Sequence, residues 1–241
     1  MNKVRSVSLV IPVYNEEENL PVLFEEVKSA VEPLGIEWEV FFIDDGSRDK
    51  SLVAIKALAE KDEHVRYISF AQNQGQSAGF CAGFEAAQGE VIITLDADLQ
   101  NDPADIPAML EKYQSEGADM VIGRRVKRMD SWIKRIGSKV GNGVRNWLTK
   151  ETVRDTGCSL KIMRAYLAKK IPFFTGMHRF LPTLMKLLGG TVVEMDVNHR
   201  PRRHGKSKYG TLDRALAGSY DLLAVRWMQK RFIRYKIKEK N

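Results

Sequence analysis

Cysteine is nearly missing: Cys81 and Cys158 stand far apart in 241 residues, with no C-x-x-C. That excludes a disulfide framework and a cysteine zinc site, and it makes a reducing cytosol the expected compartment. No stretch approaches the roughly 18 unbroken apolar residues of a membrane span. The opening "MNKVRSVSLVIPVYN" runs into a strand pattern without a small-residue cleavage site, so no secretory signal is expected. The four histidines lack metal-site spacing, and there is no G-x-S-x-G nucleophile elbow. Two phosphate motifs fail. "HGKS" at 204–207 has Arg200 where a P-loop needs glycine, and "GNGVRN" at 141–146 ends in Asn146 and follows no strand. Base-stacking aromatics are not interleaved with the late basic run, so nucleic acid is not an expected partner. Internal repeats and low-complexity linkers are absent too.

What the chain does have is charge, unevenly placed. The first 120 residues hold 9 Lys and Arg against 23 Asp and Glu, a net of −14; the rest hold 29 against 8, a net of +21. A basic second half is either a solvated face or a surface for an anionic partner: nucleic acid, a phosphorylated ligand or a lipid headgroup layer.

Strand and helix patterns alternate through the first half. "SVSLVIPVY", "WEVFFIDDGS", "VRYISFAQN", "GEVIITLD" and "GADMVIGRR" read as strands, with helices between them. Asn15 to Glu18 has the form of a capping box opening the first helix. Between Gly75 and Gln88, Ala78, Gly79, Ala82, Gly83, Ala86 and Ala87 would let a helix lie close on a sheet. Another helix is expected to start near Pro103. The alternation predicts an α/β fold with a mostly parallel sheet covered on both faces. Beyond Arg125 the pattern predicts a basic helix over 131–150, strands near 158–163 and 191–198, and the polar basic loop "HRPRRHGKSKYG". A last helix from Leu212 to about Tyr235 carries Leu216, Tyr220, Leu223, Trp227 and Phe232 among Arg and Lys. Residues 1–210 read as the main domain and 211–241 as an amphipathic basic C-terminal helix.

Open parallel sheets bind ligands at the carboxyl ends of their strands. Four such ends carry polar chemistry: Tyr14-Asn15-Glu16, Asp44-Asp45-Gly46, Asp96-Ala97-Asp98 and Gly123-Arg124-Arg125. Each alone could be a solvated turn. Together they describe a site for a metal and an anion. Asp96 and Asp98 repel one another unless a cation lies between them, and Mg²⁺ typically takes one or two carboxylates with phosphate oxygens and waters. Lys134 and Ser138, one helical turn apart, can face a phosphate together with Arg125.

"VIPVYNEEENL", "IDDGSRD", "NQGQSAG", "LDADLQNDP", "DTGCSLKIMR" and "RRHGKSKYG", in this order, resemble the family 2 glycosyltransferases over roughly residues 5–230. The polyprenyl-phosphate branch, with dolichyl-phosphate mannose synthase and undecaprenyl-phosphate sugar transferases, is the most similar. The resemblance implies a GT-A (Rossmann-like) fold and an inverting transfer from a UDP- or GDP-linked sugar to a polyprenyl phosphate, with Mg²⁺ or Mn²⁺ as cofactor. It implies that Pro12, Tyr14, Glu16, Ile43 and Asp45 line the nucleoside pocket. Asp96, Ala97 and Asp98 would hold the diphosphate through the metal, with Gln100 nearby, and Arg125 would touch donor or acceptor phosphate. Arg202 and Lys208 match the pair that closes over the nucleotide, and Asp155 an essential acidic residue. The chain departs from the family at "GCSLK", where relatives often have "SGFR".

Two alternatives carry different chemistry. A transferase with a saccharide or protein hydroxyl acceptor would need a base, and Asp155 is the candidate; a silent nucleotide-sugar-binding subunit would need none. Arg226, Lys230, Arg231, Arg234, Lys236 and Lys238 beside Trp227 and Phe232 suit an anionic membrane surface. The expectation is a protein peripheral to the inner face of the cytoplasmic membrane, on the lipid itself or on a membrane-embedded partner subunit.

Overall fold

The computed structural model describes residues 3–126, 143, 146, 148–201, 211–233 and 239, with side chains in the last helix from Gly218 onward. In chain order the elements are β1 (Ser6–Val13), α1 (Leu20–Val31), β2 (Glu37–Asp44), α2 (Ser51–Lys61), β3 (Val65–Ser69), α3 (Gln76–Ala86) and β4 (Val91–Thr94). There follow α4 (Ile106–Glu116), β5 (Met120–Arg125), β6 (Lys161–Arg164), α5 (Ala165–Ala168), α6 (Leu181–Leu187), β7 (Val192–Val197) and α7 (Thr211–Arg231).

The strands form one sheet in the order β3-β2-β1-β4-β6-β5-β7. All pairings are parallel except those of β6, which runs against both β4 and β5. The near-continuous apolar runs of β1, β2 and β4 follow from burial on both faces; Leu9, Val10, Ile11, Phe42, Ile43, Ile92 and Ile93 are fully buried. The order reverses between β1 and β4. Right-handed crossovers then send α1 and α2 to one face and α3 to the other, and α1 packs beside α2 and α4.

The small residues of α3 act as their spacing predicts. A Cβ on Gly83 would lie 2.2 Å from Val10 Cγ1, and one on Gly79 would lie 3.1 Å from Pro12 Cβ. Phe80 and Phe84 are buried on the same helix, their rings stacked 5.8 Å apart. The helix therefore sits with its N-terminus over the ends of β1 and β2.

One expectation is corrected. Asn15 does not cap a helix: α1 begins five residues later at Leu20, with Pro21 in its first turn and no side-chain cap from Asn19. Asn15 instead takes the left-handed conformation (φ 54°), and its Oδ1 accepts from the Arg48 backbone N–H at 2.7 Å. In α7 the packed apolar residues and the exposed ones lie on different faces. Leu222 and Val225 enter the core, whereas Tyr220 is 77% exposed, Leu223 64% and Trp227 65%. The basic helix expected over 131–150 lies mostly outside the described residues.

Candidate functional site

β1, β2, β4 and β5 share one direction, so their carboxyl ends lie along one edge of the sheet. Because β6 is antiparallel, its start lies at that edge, and the segment "DTGCSLK" enters between β4 and β5. Two interstrand spacings, roughly 9–10 Å, separate the paths of β4 and β5. The loop leading into β6 fills that interval.

At β1 the chain turns into a segment interlocked with residues 47–51. The N–H groups of Asn15 and Glu16 donate to Ser47 Oγ (3.0 Å) and Ser51 Oγ (2.8 Å), and Glu16 accepts from Asn19 Nδ2 at 2.6 Å. Tyr14 and Pro12 are half-buried beside it. Pro12 pairs with Ile43 across β1 and β2, and Ile43 is fully buried with its Cγ2 against α3 at the Gly79 position. Ile43 is thus a core residue that shapes the cleft wall from behind.

At β2, Asp44 accepts from the Ser47 N–H (3.1 Å) and Ser69 Oγ (2.8 Å). Asp45 accepts from Asn73 Nδ2 (2.8 Å), Gln74 N–H (2.6 Å) and Gly75 N–H (2.9 Å). Burial pushes the Asp45 carboxyl up, and the Gln74 and Gly75 N–H groups pull it back in part. Asp45 thereby ties the "NQGQ" loop and the start of α3 to the strand end. Gly46 sits at φ +66°, and a Cβ there would come within 2.6 Å of the Gln72 backbone, so "DDG" can end only in glycine.

At β4, Asp96 Oδ1 accepts from Gln76 Nε2 at 2.6 Å, and the Ser159 hydroxyl beside it donates to Asn101 Oδ1. Burial, then the charge of Asp98, pushes Asp96 up to about 6. Ala97 and Asp98 are buried, and Asp98 Oδ1 accepts from the Gln100 N–H at 3.1 Å across a turn in which Leu99 has φ 60°. The Gln100 carbonyl accepts from the Arg200 N–H at 2.8 Å. The Arg200 guanidinium bonds both Glu26 oxygens (2.9 and 2.8 Å) and pairs with Asp102. The basic loop therefore starts directly above the Asp96–Asp98 turn.

At β5, Arg125 and Asp155 form a bidentate pair, Nε to Oδ2 at 2.7 Å and an Nη to Oδ1 at 2.8 Å. The Arg125 N–H adds a third bond to Oδ2, and Glu194 accepts from the Arg154 and Asp155 N–H groups. The two residues expected to act separately, one on phosphate and one as an acid or base, thus form one unit.

Pro12, Tyr14, Glu16, Asp45, Asp96, Ala97, Asp98, Gln100, Arg125 and Asp155 all lie along this one edge. Lys134, Ser138, Arg202 and Lys208 lie outside the described residues. Gln76, Ser159, Lys161 and Arg200 are contributors that the strand-end motifs did not single out. Only Lys161 had a local signal, a cation inside the apolar run "LKIM". No group of three or more His, Cys, Asp or Glu poised for a metal occurs among the described residues. Two hard carboxylates one residue apart do fit a Mg²⁺ or Mn²⁺ ion whose other ligands are phosphate oxygens and waters. A cavity of about 270 Å³ lined by Lys150, Glu151, Lys186 and Arg226 lies by α6 and α7 and includes none of the strand-end residues.

The family model for glycosyl transferase family 2 matches residues 8–180. An undecaprenyl-phosphate 4-deoxy-4-formamido-L-arabinose transferase of Pectobacterium atrosepticum is 38% identical over 224 residues, covering 92% of this chain and 68% of the relative. A dodecaprenyl-phosphate galacturonate synthase of Rhizobium johnstonii is 38% identical over 234 residues, covering 95% and 68%. Among solved structures, mannosyl-3-phosphoglycerate synthase from Rubrobacter xylanophilus superposes with a TM-score of 0.73 at 14% identity, over 99% of this chain and 79% of that one. Glucosyl-3-phosphoglycerate synthase from Mycobacterium tuberculosis, in complex with Mn²⁺, UDP-glucose and phosphoglyceric acid, gives 0.68 at 18% identity, over 93% and 79%. The last two share the fold, and the first two share the sequence along nearly the whole chain: the protein is a glycosyltransferase and belongs to glycosyl transferase family 2.

Proposed function

We propose that the protein transfers a sugar from a UDP- or GDP-linked donor to a polyprenyl phosphate with inversion, at the inner face of the cytoplasmic membrane. The observation that carries this reading is the meeting of the Asp96–Asp98 pair, the Arg125–Asp155 pair and the start of the basic loop at one sheet edge. Asp96 and Asp98 would hold Mg²⁺ or Mn²⁺, with Gln100 beside them. Such an ion supplies positive charge to the diphosphate as it leaves. Gln76 orients Asp96, and the Gln100 N–H orients Asp98. Pro12, Tyr14, Glu16 and the loop tied down by Asp45 border the nucleoside side. Arg202 and Lys208, carried on a segment anchored by Arg200, are assigned to the diphosphate. Arg125 faces the acceptor phosphate, with Lys134 and Ser138 assigned to the same group.

A phosphate acceptor, with a second pKa near 6, is already largely anionic at pH 7 and needs positioning more than deprotonation. A carboxylate whose two oxygens are gripped by a guanidinium is poorly disposed to accept a proton. The Arg125–Asp155 pair therefore favours a phosphate acceptor over a hydroxyl acceptor. Transfer assays with UDP- and GDP-sugars against undecaprenyl and dolichyl phosphates test the proposal. Sugar appearing on the lipid phosphate with one nucleotide series is the expected result. Transfer only to a saccharide or protein hydroxyl would refute it, and binding without transfer would leave a silent subunit.

The membrane assignment rests on α7. No helix of the described residues is long and apolar enough to cross a membrane. Tyr220, Leu223 and Trp227 nevertheless form an exposed stripe, flanked by Lys230 and Arg231, on the side away from Leu222 and Val225. We assign residues 211–241 to contact with anionic lipid. Each Lys or Arg near a negative leaflet contributes about 1 kcal/mol, and the aromatic stripe adds an apolar contribution. Sedimentation with anionic vesicles should show binding at low salt that falls as salt rises. Tyr220 and Trp227 both changed to serine should weaken binding without lowering the melting temperature. A protein that ignores such vesicles at low salt would instead need a membrane-embedded partner.

A further inference from the structure

One buried charge at the site has no task in the scheme above. Lys161 opens β6 and is 4% exposed. It pairs with Thr94, two residues before Asp96, and with Ile122, three before Arg125. Its ammonium donates to the Cys158 carbonyl oxygen, which fixes it inside the loop that fills the interval between β4 and β5. The charged groups acting on it are Asp96 and Asp155, which favour the ammonium, and Arg125, which opposes it; burial itself pulls the lysine below its ordinary range. A lysine in a sheet interior is costly to desolvate, and packing alone would be served better by leucine or methionine.

The charges at the ends of β4, β5 and β6 suggest what it does. Asp96, Asp98 and Asp155 oppose Arg125 and Lys161, so these groups sum to −1. A divalent cation turns that to +1, which suits an incoming diphosphate. Without Lys161 the same groups sum to −2. The carboxylates alone would then hold the cation, and the loaded site would be neutral. We propose that Lys161 is a positioning residue that keeps the Asp96–Asp98 pair from being a self-sufficient cation site, so that cation and nucleoside diphosphate bind as a unit. The inference rests on Asp96 and Asp98 being the cation ligands.

Mn²⁺ titration followed by electron paramagnetic resonance tests it without turnover. In nucleotide-free protein, Lys161→Met should bind Mn²⁺ more tightly, on the order of tenfold for a unit charge removed from the surroundings of the pair. The gain in Mn²⁺ affinity on adding an equimolar mixture of UDP and GDP should shrink correspondingly, and the donor KM should rise more than kcat falls. Lys161→Arg, which keeps the charge, should hold Mn²⁺ affinity within about threefold of wild type, as like charge at the same place requires. A merely structural lysine predicts the opposite sign, since a loosened site binds Mn²⁺ less well. Unchanged or weaker Mn²⁺ binding by Lys161→Met overturns the proposal. If that variant does not fold, Lys161→Gln takes its place under the same criterion. Asp98→Asn separates the underlying assignment: Mn²⁺ binding untouched by that change refutes the ligand reading, whatever the lysine variants do.

Discussion

Asp98→Asn is expected to abolish sugar transfer while leaving the fold intact. The side chain is buried at the end of β4, and its hydrogen bond from the Gln100 N–H to Oδ1 can be kept by the asparagine carbonyl. The turn with Leu99 at φ 60° therefore persists, and the melting temperature should move little. What disappears is a full negative charge facing the proposed cation and, through it, the departing diphosphate. Removing one such stabilising contact in other enzymes costs about 10²–10³ in rate. Transfer rate against Mn²⁺ concentration is the measurement. A variant retaining more than half of the wild-type rate at saturating Mn²⁺ would show that Asp98 is not a metal ligand.

The second large effect concerns Arg125 and Asp155. Their side chains are 16% and 9% exposed and joined by two parallel bonds. Breaking a buried pair by removing one partner typically costs about 3–5 kcal/mol, mostly from the charge left behind. Asp155→Ala should accordingly lower stability on that scale, measurable by urea denaturation. In kinetics, Arg125→Gln and Asp155→Asn should each lower transfer on the order of 10²-fold, and the double variant should be hardly worse than either, because the residues act as a unit. The hydroxyl-acceptor alternative predicts otherwise. An Asp155 base would be released by Arg125→Gln, and the acid limb of the pH–rate profile would disappear with Asp155 alone. Additive losses would refute the unit.

The strands of the first half were legible because burial on both faces writes long β-branched runs that nothing else explains. The contents of the strand ends were legible for the related reason that carboxylates and guanidinium groups have no place in such runs. The capping box at Asn15 failed because its competitor is distant in sequence: the 47–51 segment supplies hydroxyls and N–H groups that hold residues 15–17 in another conformation. Arg200 was hidden likewise, since its partners Glu26, Gln100 and Asp102 are scattered along the chain. In α7 both faces carry apolar residues, so periodicity could not tell Leu222 and Val225, which pack, from Tyr220 and Trp227, which do not. Lys161 was visible as an anomaly, but its meaning needed β4 and β5 on either side.

The direction of β6 has a consequence for how such an enzyme can change. β5 ends and β6 begins at the same edge of the sheet, so the site is bordered there by two neighbouring strands that are separated in sequence but paired in space. Residues 126–160 are thus one contiguous insertion in sequence between paired strands. Among its last residues, Val153, Cys158 and Leu160 lie in the core next to Lys161–Arg164, which stays in register with β4 and β5. The donor side, built from residues before 102 and the loop from Arg200, meets it among the described residues through Ser159, whose hydroxyl donates to Asn101 Oδ1. On the proposed assignment of Arg125, Lys134, Ser138 and Asp155 to the acceptor side, a new acceptor would be acquired chiefly by rewriting this one contiguous stretch of sequence.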